Sequence, residues 1–321
     1  MQRVLVLVIG VAGCGFQLTG PGVVSDAPSE RATDGPLDAL VDAPAVAGTC
    51  FAAWYGNAIR FGTAVALTTV NSSSFERDPF LTPDELTLFV STARPGRMGG
   101  DTWMATRTTT LLPFGAPVRF PPFSTAGNET KVSIAMSSLV AMVGSDQAGG
   151  AGGVDVWETS RATTTAAWGP LTRTHVMAAN SGGSDHDPMI SADGLHLYTA
   201  PDAPGVQHIA LATRPNTTAN FSASTTIAEL DSTMSDGDPS VSADERLIVF
   251  YSGRTSAFTG GNLWYATRAS ATAAFGTPRI VPDVNTNFND GDPHVSEDGC
   301  RLYFGRDGSA TDWDLYVATA Q

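Results

Sequence analysis

The chain has 321 residues, of which 42% are hydrophobic and 16% are charged. Its 32 Asp and Glu outnumber its 18 Lys and Arg, for a net charge of −14. This balance excludes the basic surface that nucleic-acid binding needs, and the apolar pattern is too irregular for a bundle of membrane-spanning helices. The length allows one large globular core.

Residues 1–13 have the pattern of an export signal. Arg3 gives a positive start, residues 4–9 are apolar, and small residues directly precede Cys14. The sequence Val-Ala-Gly-Cys resembles the lipobox of bacterial lipoproteins, which implies lipidation of Cys14. The alternative is an ordinary signal peptide with a chance cysteine. Gly15 at the next position favours the outer membrane.

Residues 14–48 form a different kind of segment. From Phe16 onward it is rich in Pro, Ala, Asp and Gly, and residues 17–48 contain no aromatic side chain. Such a composition buries too little apolar surface to offset the entropy of ordering. We expect a flexible tether that holds a folded unit, residues 49–321, away from a membrane.

That folded unit is built from repeats. Related segments begin at residues 78, 131, 187, 238 and 292, so successive copies lie about 51 to 56 residues apart. They read DPFLTPDELTLF, KVSIAMSSLVAM, DPMISADGLHLY, DPSVSADERLIVF and DPHVSEDGCRLYF. A period near fifty residues, filled with short strands and turns, is typical of a propeller or a solenoid.

Each copy predicts two strands, and two more follow. The third strand is DTWMATR, DVWETSR, HIALATR, NLWYATR or DLYVATA, and the fourth starts at Phe114, Trp168, Phe221 or Phe275. The fifth copy has no fourth strand after it, but residues 61–79 align with residues 275–293. The sequence therefore predicts an all-β, five-bladed propeller of four-stranded antiparallel blades, whose last blade is completed by an N-terminal strand. Six blades remain the alternative, although residues 51–60 are too few for another blade.

The Asp-Pro start, the Ser-x-Asp-Gly turn and the closing Asp-Leu-Tyr strand resemble the TolB-type, WD40-like propeller repeat, over residues 61–321. Lys131-Val132 departs from this pattern in the second copy. The resemblance implies a propeller that binds proteins or envelope components.

Propeller topology places the Asp-Pro positions and the loops between second and third strands on one rim. We expect Asp78, Asp187, Asp238 and Asp292 to form a partial ring at the channel mouth, with Arg94, Arg254 and Arg306 in the matching loops. Because these residues recur from blade to blade, a structural role is favoured, in which each Asp caps backbone N–H groups or pairs with a loop Arg. The same rim is the expected place for a partner to bind.

Three chemical alternatives stay open. The Asp-Gly-Asp sequences at Asp236/Asp238 and Asp290/Asp292 are weak calcium candidates, since they do not match an EF-hand. His186 and His294 lie in different blades and make a poor metal pair. Channel carboxylates could also hydrolyse glycosides, with one acid and one base. No other cofactor is expected.

The remaining cysteines and the third-strand aromatics have structural interpretations. Cys50 and Cys300 both fall in the last blade, so export favours a disulfide, with two free thiols as the alternative. The aromatics Trp103, Trp157, Trp264 and Tyr316 share one strand position, which favours packing between blades over a sugar-stacking platform.

We therefore expect a monomeric lipoprotein anchored in the bacterial envelope by its N-terminal lipid, facing the periplasm or the cell surface. Its propeller is expected to be a non-catalytic module that binds an envelope protein or a cell-wall component. A carbohydrate-binding or glycoside-hydrolysing propeller is the alternative.

Overall fold

A computed structural model describes residues 49–94, 99–203, 205–309 and 312–321, and these form a five-bladed β-propeller. The predicted export signal, Cys14 and the predicted tether lie outside the described residues. A short helix α1 (Phe51–Tyr55) and a strand β1 (Val65–Ala66) precede the blades. Within the described residues, no helix is long and apolar enough to cross a membrane.

Five antiparallel sheets form the blades, numbered here in chain order. The first has strands β2 to β5, at Glu76–Leu81, Thr87–Thr92, Asp101–Thr106 and Val118–Arg119, and a 3₁₀ turn follows at Pro121–Phe123. The second has β6 to β8, at Glu129–Ile134, Val140–Ser145 and Asp155–Ser160. The third has β9 to β13, at Asp185–Ile190, His196–Ala203, Val206–Gln207, Ala210–Thr213 and Thr225–Thr226. The fourth has β14 to β17, at Asp236–Val241, Leu247–Ser252, Asn262–Thr267 and Arg279–Ile280. The fifth has β18 to β20, at Asp290–Val295, Arg301–Ser309 and Asp312–Thr319.

The ring closes as predicted. Each innermost strand contacts the innermost strand of the next blade, and β18 of the last blade returns to β2 of the first. Strand β1 pairs with β20, with Val65 opposite Val317, and a bridge joins Phe61 to Ala320. The N-terminal strand therefore completes the fifth blade and covers the outer edge of β20.

Two blades depart from the four-stranded pattern. In the second blade the predicted strand after Trp168 is reduced to one bridge, between Glu158 and Thr172. The third blade adds a short hairpin in which β11 pairs with the end of β10. The number of strands therefore differs between blades, although the sequence period is nearly constant.

A side chain outside the repeats finishes the fifth blade. In each of the first four blades, the arginine that ends the third-strand motif donates to a backbone carbonyl in the turn between the first two strands. Its guanidinium also stacks on the aromatic ring that begins the fourth-strand segment. In the fourth blade, Arg268 donates to Glu245 O and stacks on Phe275. The fifth repeat has Ala320 at that position. Trp54 of α1 takes over, because its Nε1 donates to Gly299 O at 2.9 Å and its ring packs edge-on against Phe61. The short helix thus supplies the missing contact.

The cysteines of the fifth blade form a disulfide. The Cys50 and Cys300 sulfurs are 2.11 Å apart, and the bond joins residues 250 positions apart in the sequence. Cys50 N also donates to Asp298 O at 2.8 Å. Residues 50–61 are therefore fixed to the last blade by the disulfide, by hydrogen bonds and by the burial of Trp54.

Candidate ligand site at the channel mouth

Four aspartates face the channel because each innermost strand bulges. Asp78, Asp187, Asp238 and Asp292 have φ angles of 56°, 56°, 53° and 51°, and the pairing register shifts at each of them. Asp tolerates this left-handed conformation better than most residues, and a bulge redirects a side chain out of the regular alternation. The predicted partial ring is present; Asp78, Asp187 and Asp292 are more than nine-tenths buried, and Asp238 is partly buried.

Lys131 occupies the fifth position of this ring. It is the chain's single lysine and is fully buried. Its Nζ donates to Pro239 O at 3.0 Å, so the side chain reaches across the channel from the second blade to the fourth. The irregular repeat therefore places a cation among four carboxylates, a role that the sequence analysis did not assign.

Above this ring lies a cavity of about 570 Å³, which we call the mouth. Its lining is Arg77, Asp78, Thr130, His186, Asp187, Gln207, Asp238, Tyr251, Asn289, Asp292 and Trp313. Unlike the ring, the upper lining differs from blade to blade. The residues that precede the five ring positions are Arg77, Thr130, His186, Gly237 and Gly291.

Two glycines allow an aromatic side chain to cover one side of the mouth. A Cβ on Gly305 would lie 3.0 Å from the Trp313 ring, and one on Gly291 would lie 3.4 Å from both Trp313 and Tyr251. The guanidinium of Arg77 stacks on Trp313 at 3.9 Å, and its Nε lies 3.5 Å from Asp292 Oδ2. The sequence analysis missed Arg77, Tyr251 and Trp313. Aligning the repeats reveals Arg77 as an exception, but only the long fifth-blade hairpin brings Trp313 over the channel.

The ring carboxylates differ in proton affinity. Burial and the charge of Asp238 raise the pKa of Asp78 to about 6. Burial and the charges of Asp238 and Asp78 raise the pKa of Asp187 well above its usual value, and burial with Asp78 and Asp238 does the same for Asp292. Burial also acts to raise the pKa of Asp238, but the hydrogen bond with Asp187 and the charge of Lys131 lower it below the usual value. Within this hydrogen-bonded pair, Asp187 therefore holds a proton more tightly than Asp238 does.

Below the ring, hydrogen bonds join neighbouring blades. Asp292 N donates to Asp238 Oδ2 at 3.0 Å, and Ser133 Oγ and Ser240 Oγ accept from the next blades. His294 does the same in the fifth blade, because its Nε2 accepts from Leu81 N at 3.2 Å. Burial and the charge of Lys131 lower the pKa of His294 to about 3, so the imidazole is neutral. Its role here is to close the ring, next to Phe80.

The three predicted arginines do not pair with the ring aspartates, which corrects the expected Asp–Arg pairs. Each arginine binds the carboxylate that lies two residues before the ring aspartate of its own blade. It also donates to a backbone carbonyl of the turn that precedes that strand. The pairs are Arg94 with Glu76, Arg254 with Asp236 at 2.7 Å and Arg306 with Asp290 at 2.6 Å. The bulge separates the two carboxylates of each strand start, so that one holds a loop and the other faces the channel. These arginines fix loops beside the channel and do not line the mouth.

The bulge also separates the two aspartates of each predicted calcium candidate. Asp236 and Asp290 are engaged by arginines, whereas Asp238 and Asp292 lie in the ring. His186 lines the mouth, 3.5 Å from Asp202, and His294 lies below the ring. Across the described ranges, no group of three or more His, Cys, Asp or Glu side chains is arranged to hold a metal ion.

The third-strand aromatics pack beside the loop arginines, away from the mouth. Trp103, Trp264 and Tyr316 lie under the guanidiniums of Arg94, Arg254 and Arg306, at 5.5, 5.3 and 4.8 Å. Trp157 is buried and donates from Nε1 to Ser145 O at 3.1 Å. The mouth lining includes none of these four side chains.

No protein-family model and no curated protein sequence matches the chain. Its fold is similar to that of several solved structures. The catalytic domain of a family 62 α-L-arabinofuranosidase from Coprinopsis cinerea has a TM-score of 0.57 at 12% identity, over 82% of this chain and 97% of that one. A family 117 glycoside hydrolase from Zobellia galactanivorans has a TM-score of 0.53 at 11% identity, over 82% and 90%. TolB from Acinetobacter baumannii has a TM-score of 0.45 at 12% identity, over 79% and 56%. At these identities the likeness to the two hydrolases supports the propeller fold alone.

Proposed function

We propose that this propeller is a carbohydrate-active protein that binds a saccharide in the mouth. The observation that carries the proposal is the asymmetry of the lining. A repeated ring of carboxylates is expected from the repeat itself, but Arg77, His186, Tyr251 and Trp313 occur once each around it. A concave site with a few polar groups and an aromatic wall is the usual form of a small-ligand site.

The ring also holds carboxyl groups of unequal proton affinity, which glycoside hydrolysis requires. The pKa of Asp292 is raised well above its usual value, whereas the pKa of Asp238 is lowered. Glycosidases use a carboxylic acid to protonate the leaving oxygen and a carboxylate as base or nucleophile. In this proposal Asp292 is the acid and Asp238 the carboxylate. Several propellers of similar fold are glycoside hydrolases, and one was solved with cellotriose bound.

We also propose that Cys14 is lipidated and that the propeller lies in the bacterial envelope, joined to the lipid by the segment before residue 49. The support is the sequence pattern around Cys14. The Cys50–Cys300 disulfide is consistent with an exported protein, since such bonds persist in oxidising compartments.

The test is a panel of neutral, acidic and amino oligosaccharides, with binding followed by calorimetry and cleavage by mass spectrometry. We expect at least one class to bind, and Asp238→Asn to abolish any cleavage while the protein remains folded. The matched control is Glu229→Gln, which changes an exposed carboxylate. Absence of binding and cleavage across the whole panel would refute the proposal.

The second candidate function is a non-catalytic module that binds an envelope protein. The observation that favours it is an apolar pair, Leu111 and Leu112, which are 93% and 51% exposed. The fourth blade has Thr272 and Ala273 at the matching positions. Capture of one specific envelope protein by the native chain, but not by a Leu111→Thr, Leu112→Ala variant, would support this function; equal capture by both would refute it.

A further inference from the structure

The channel carries more negative than positive side chains at its mouth. Four ring aspartates face two cations, Lys131 and Arg77. The other titratable groups on the lining are His186 and Tyr251. The Lys131 Nζ donates a hydrogen bond to Pro239 O, and the Arg77 guanidinium contacts Trp313 and Asp292. When all four ring carboxylates are ionised, the mouth is therefore short of positive charge.

One buried oxygen has unused capacity to accept a hydrogen bond. Asp292 is 5% exposed and lines the mouth, and among the described residues its Oδ2 accepts no hydrogen bond. The Arg77 Nε, 3.5 Å away, likewise donates none. A buried carboxylate oxygen without a donor is costly, so a ligand that donates a charged hydrogen bond there would be stabilised.

The walls of the mouth suit a polyhydroxylated ligand. Gln207, Asn289 and Thr130 offer amide and hydroxyl groups, and Tyr251 adds an aromatic ring. Thr130 Oγ1 also has no hydrogen-bond partner within the described chain. An acidic sugar would place its charge against the carboxylate ring, whereas an ammonium group brings three donors and the missing charge.

We propose that the mouth selects a saccharide that carries a primary ammonium group, an amino sugar, with the ammonium on the Asp292 side of the ring. This inference rests on the proposed saccharide-binding function. The raised pKa values of Asp78, Asp187 and Asp292 agree with it, because a bound cation favours the ionised carboxylates. Amino-sugar binding should then strengthen from pH 5 to pH 7, as Asp78 loses its proton near pH 6.

The experiment compares two ligands of the same length that differ in charge. The β-1,4-linked glucosamine tetramer and its fully N-acetylated counterpart are titrated into the native chain by calorimetry at pH 7, with a chelator present to remove metal ions. We expect the glucosamine tetramer to bind at least ten-fold more tightly. Asp292→Asn should reduce that ratio to near one. Asp78→Asn serves as a second variant if Asp292→Asn does not fold.

Each outcome is informative. If both tetramers bind equally, or if the preference survives in Asp292→Asn, the amino-sugar inference is overturned and the saccharide-binding function stands. If no saccharide of any charge binds, both are overturned. A preference that is lost in Asp292→Asn but retained in Glu229→Gln supports the inference.

Discussion

Replacing Asp78 by Asn tests the electrostatics of the ring most directly. Burial and Asp238 raise the pKa of Asp78 from 3.8 to about 6. The folded state therefore holds this proton more tightly than the unfolded state does. The resulting stabilisation is fully present below the unfolded pKa and is lost as the pH rises through the folded pKa. Above pH 6 the loss amounts to about 3 kcal/mol for a change of this size.

Asn cannot ionise, so Asp78→Asn should escape this loss. We expect the variant and the native chain to have nearly equal stability at pH 4. At pH 8 the variant should be more stable by about 3 kcal/mol, or about 6 to 12 °C in Tm for a domain of this size. The measurement is denaturant and thermal unfolding at each pH from 4 to 8 with the disulfide intact. Glu229→Gln should leave the pH profile unchanged.

Two results would refute this reasoning. A stability difference independent of pH would mean that Asp78 does not titrate with a raised pKa. A variant less stable than the native chain at pH 8 would mean that the Asp78 carboxylate is held as a stabilised anion. Either result would also remove the support that the raised pKa of Asp78 gives to the amino-sugar inference.

Three further predictions concern the contacts that hold the ring. Lys131→Met should cost about 3 to 5 kcal/mol at pH 7, measured by denaturant unfolding, and less at pH 5, where the aspartates take up protons; equal cost at both values would contradict this. Trp54→Ala should cost about 3 to 5 kcal/mol by the same measurement and expose Gly299 O, whereas the exposed Leu111→Ala should have little effect. Replacing Cys50 and Cys300 by Ala should cost about 5 kcal/mol in the chain-entropy model, and an unchanged unfolding midpoint would contradict it.

The fold could be predicted from the sequence because the same strand–turn–strand motif recurs along it at a nearly constant spacing. Copies of one strand–turn–strand unit at a constant spacing give the number of blades, and the match between residues 61–79 and 275–293 gives the closure. The structure bears out both. The prediction was wrong for the fourth strand after Trp168, because a repeat alignment shows where a strand could be but not whether it still pairs. It also missed α1, which lies outside the repeats.

The loop arginines show a second limit. Their spacing after the aspartates suggested Asp–Arg pairs, whereas Arg254 binds Asp236 and leaves Asp238 to the channel. The reason is the bulge at the left-handed aspartate, which changes the face to which a side chain points. The spacing of two residues in the sequence predicts that their side chains are neighbours only if successive side chains of the strand point to opposite faces without interruption. The bulges interrupt that alternation in these strands.

The differences between repeats are therefore more informative about function than the repeats themselves. The recurring Asp-Pro positions build the channel ring, and the recurring arginines hold the loops beside it. What distinguishes this propeller is the set of exceptions: Lys131 in place of an aspartate, Arg77 beside Asp78, and Trp313 where the fourth blade has Gly261. A lysine buried among carboxylates would be costly in isolation, and here it offsets a charge that the repeats impose. Because Lys131 and Arg77 offset only part of that charge, the exceptions leave a site that a cationic saccharide can complete.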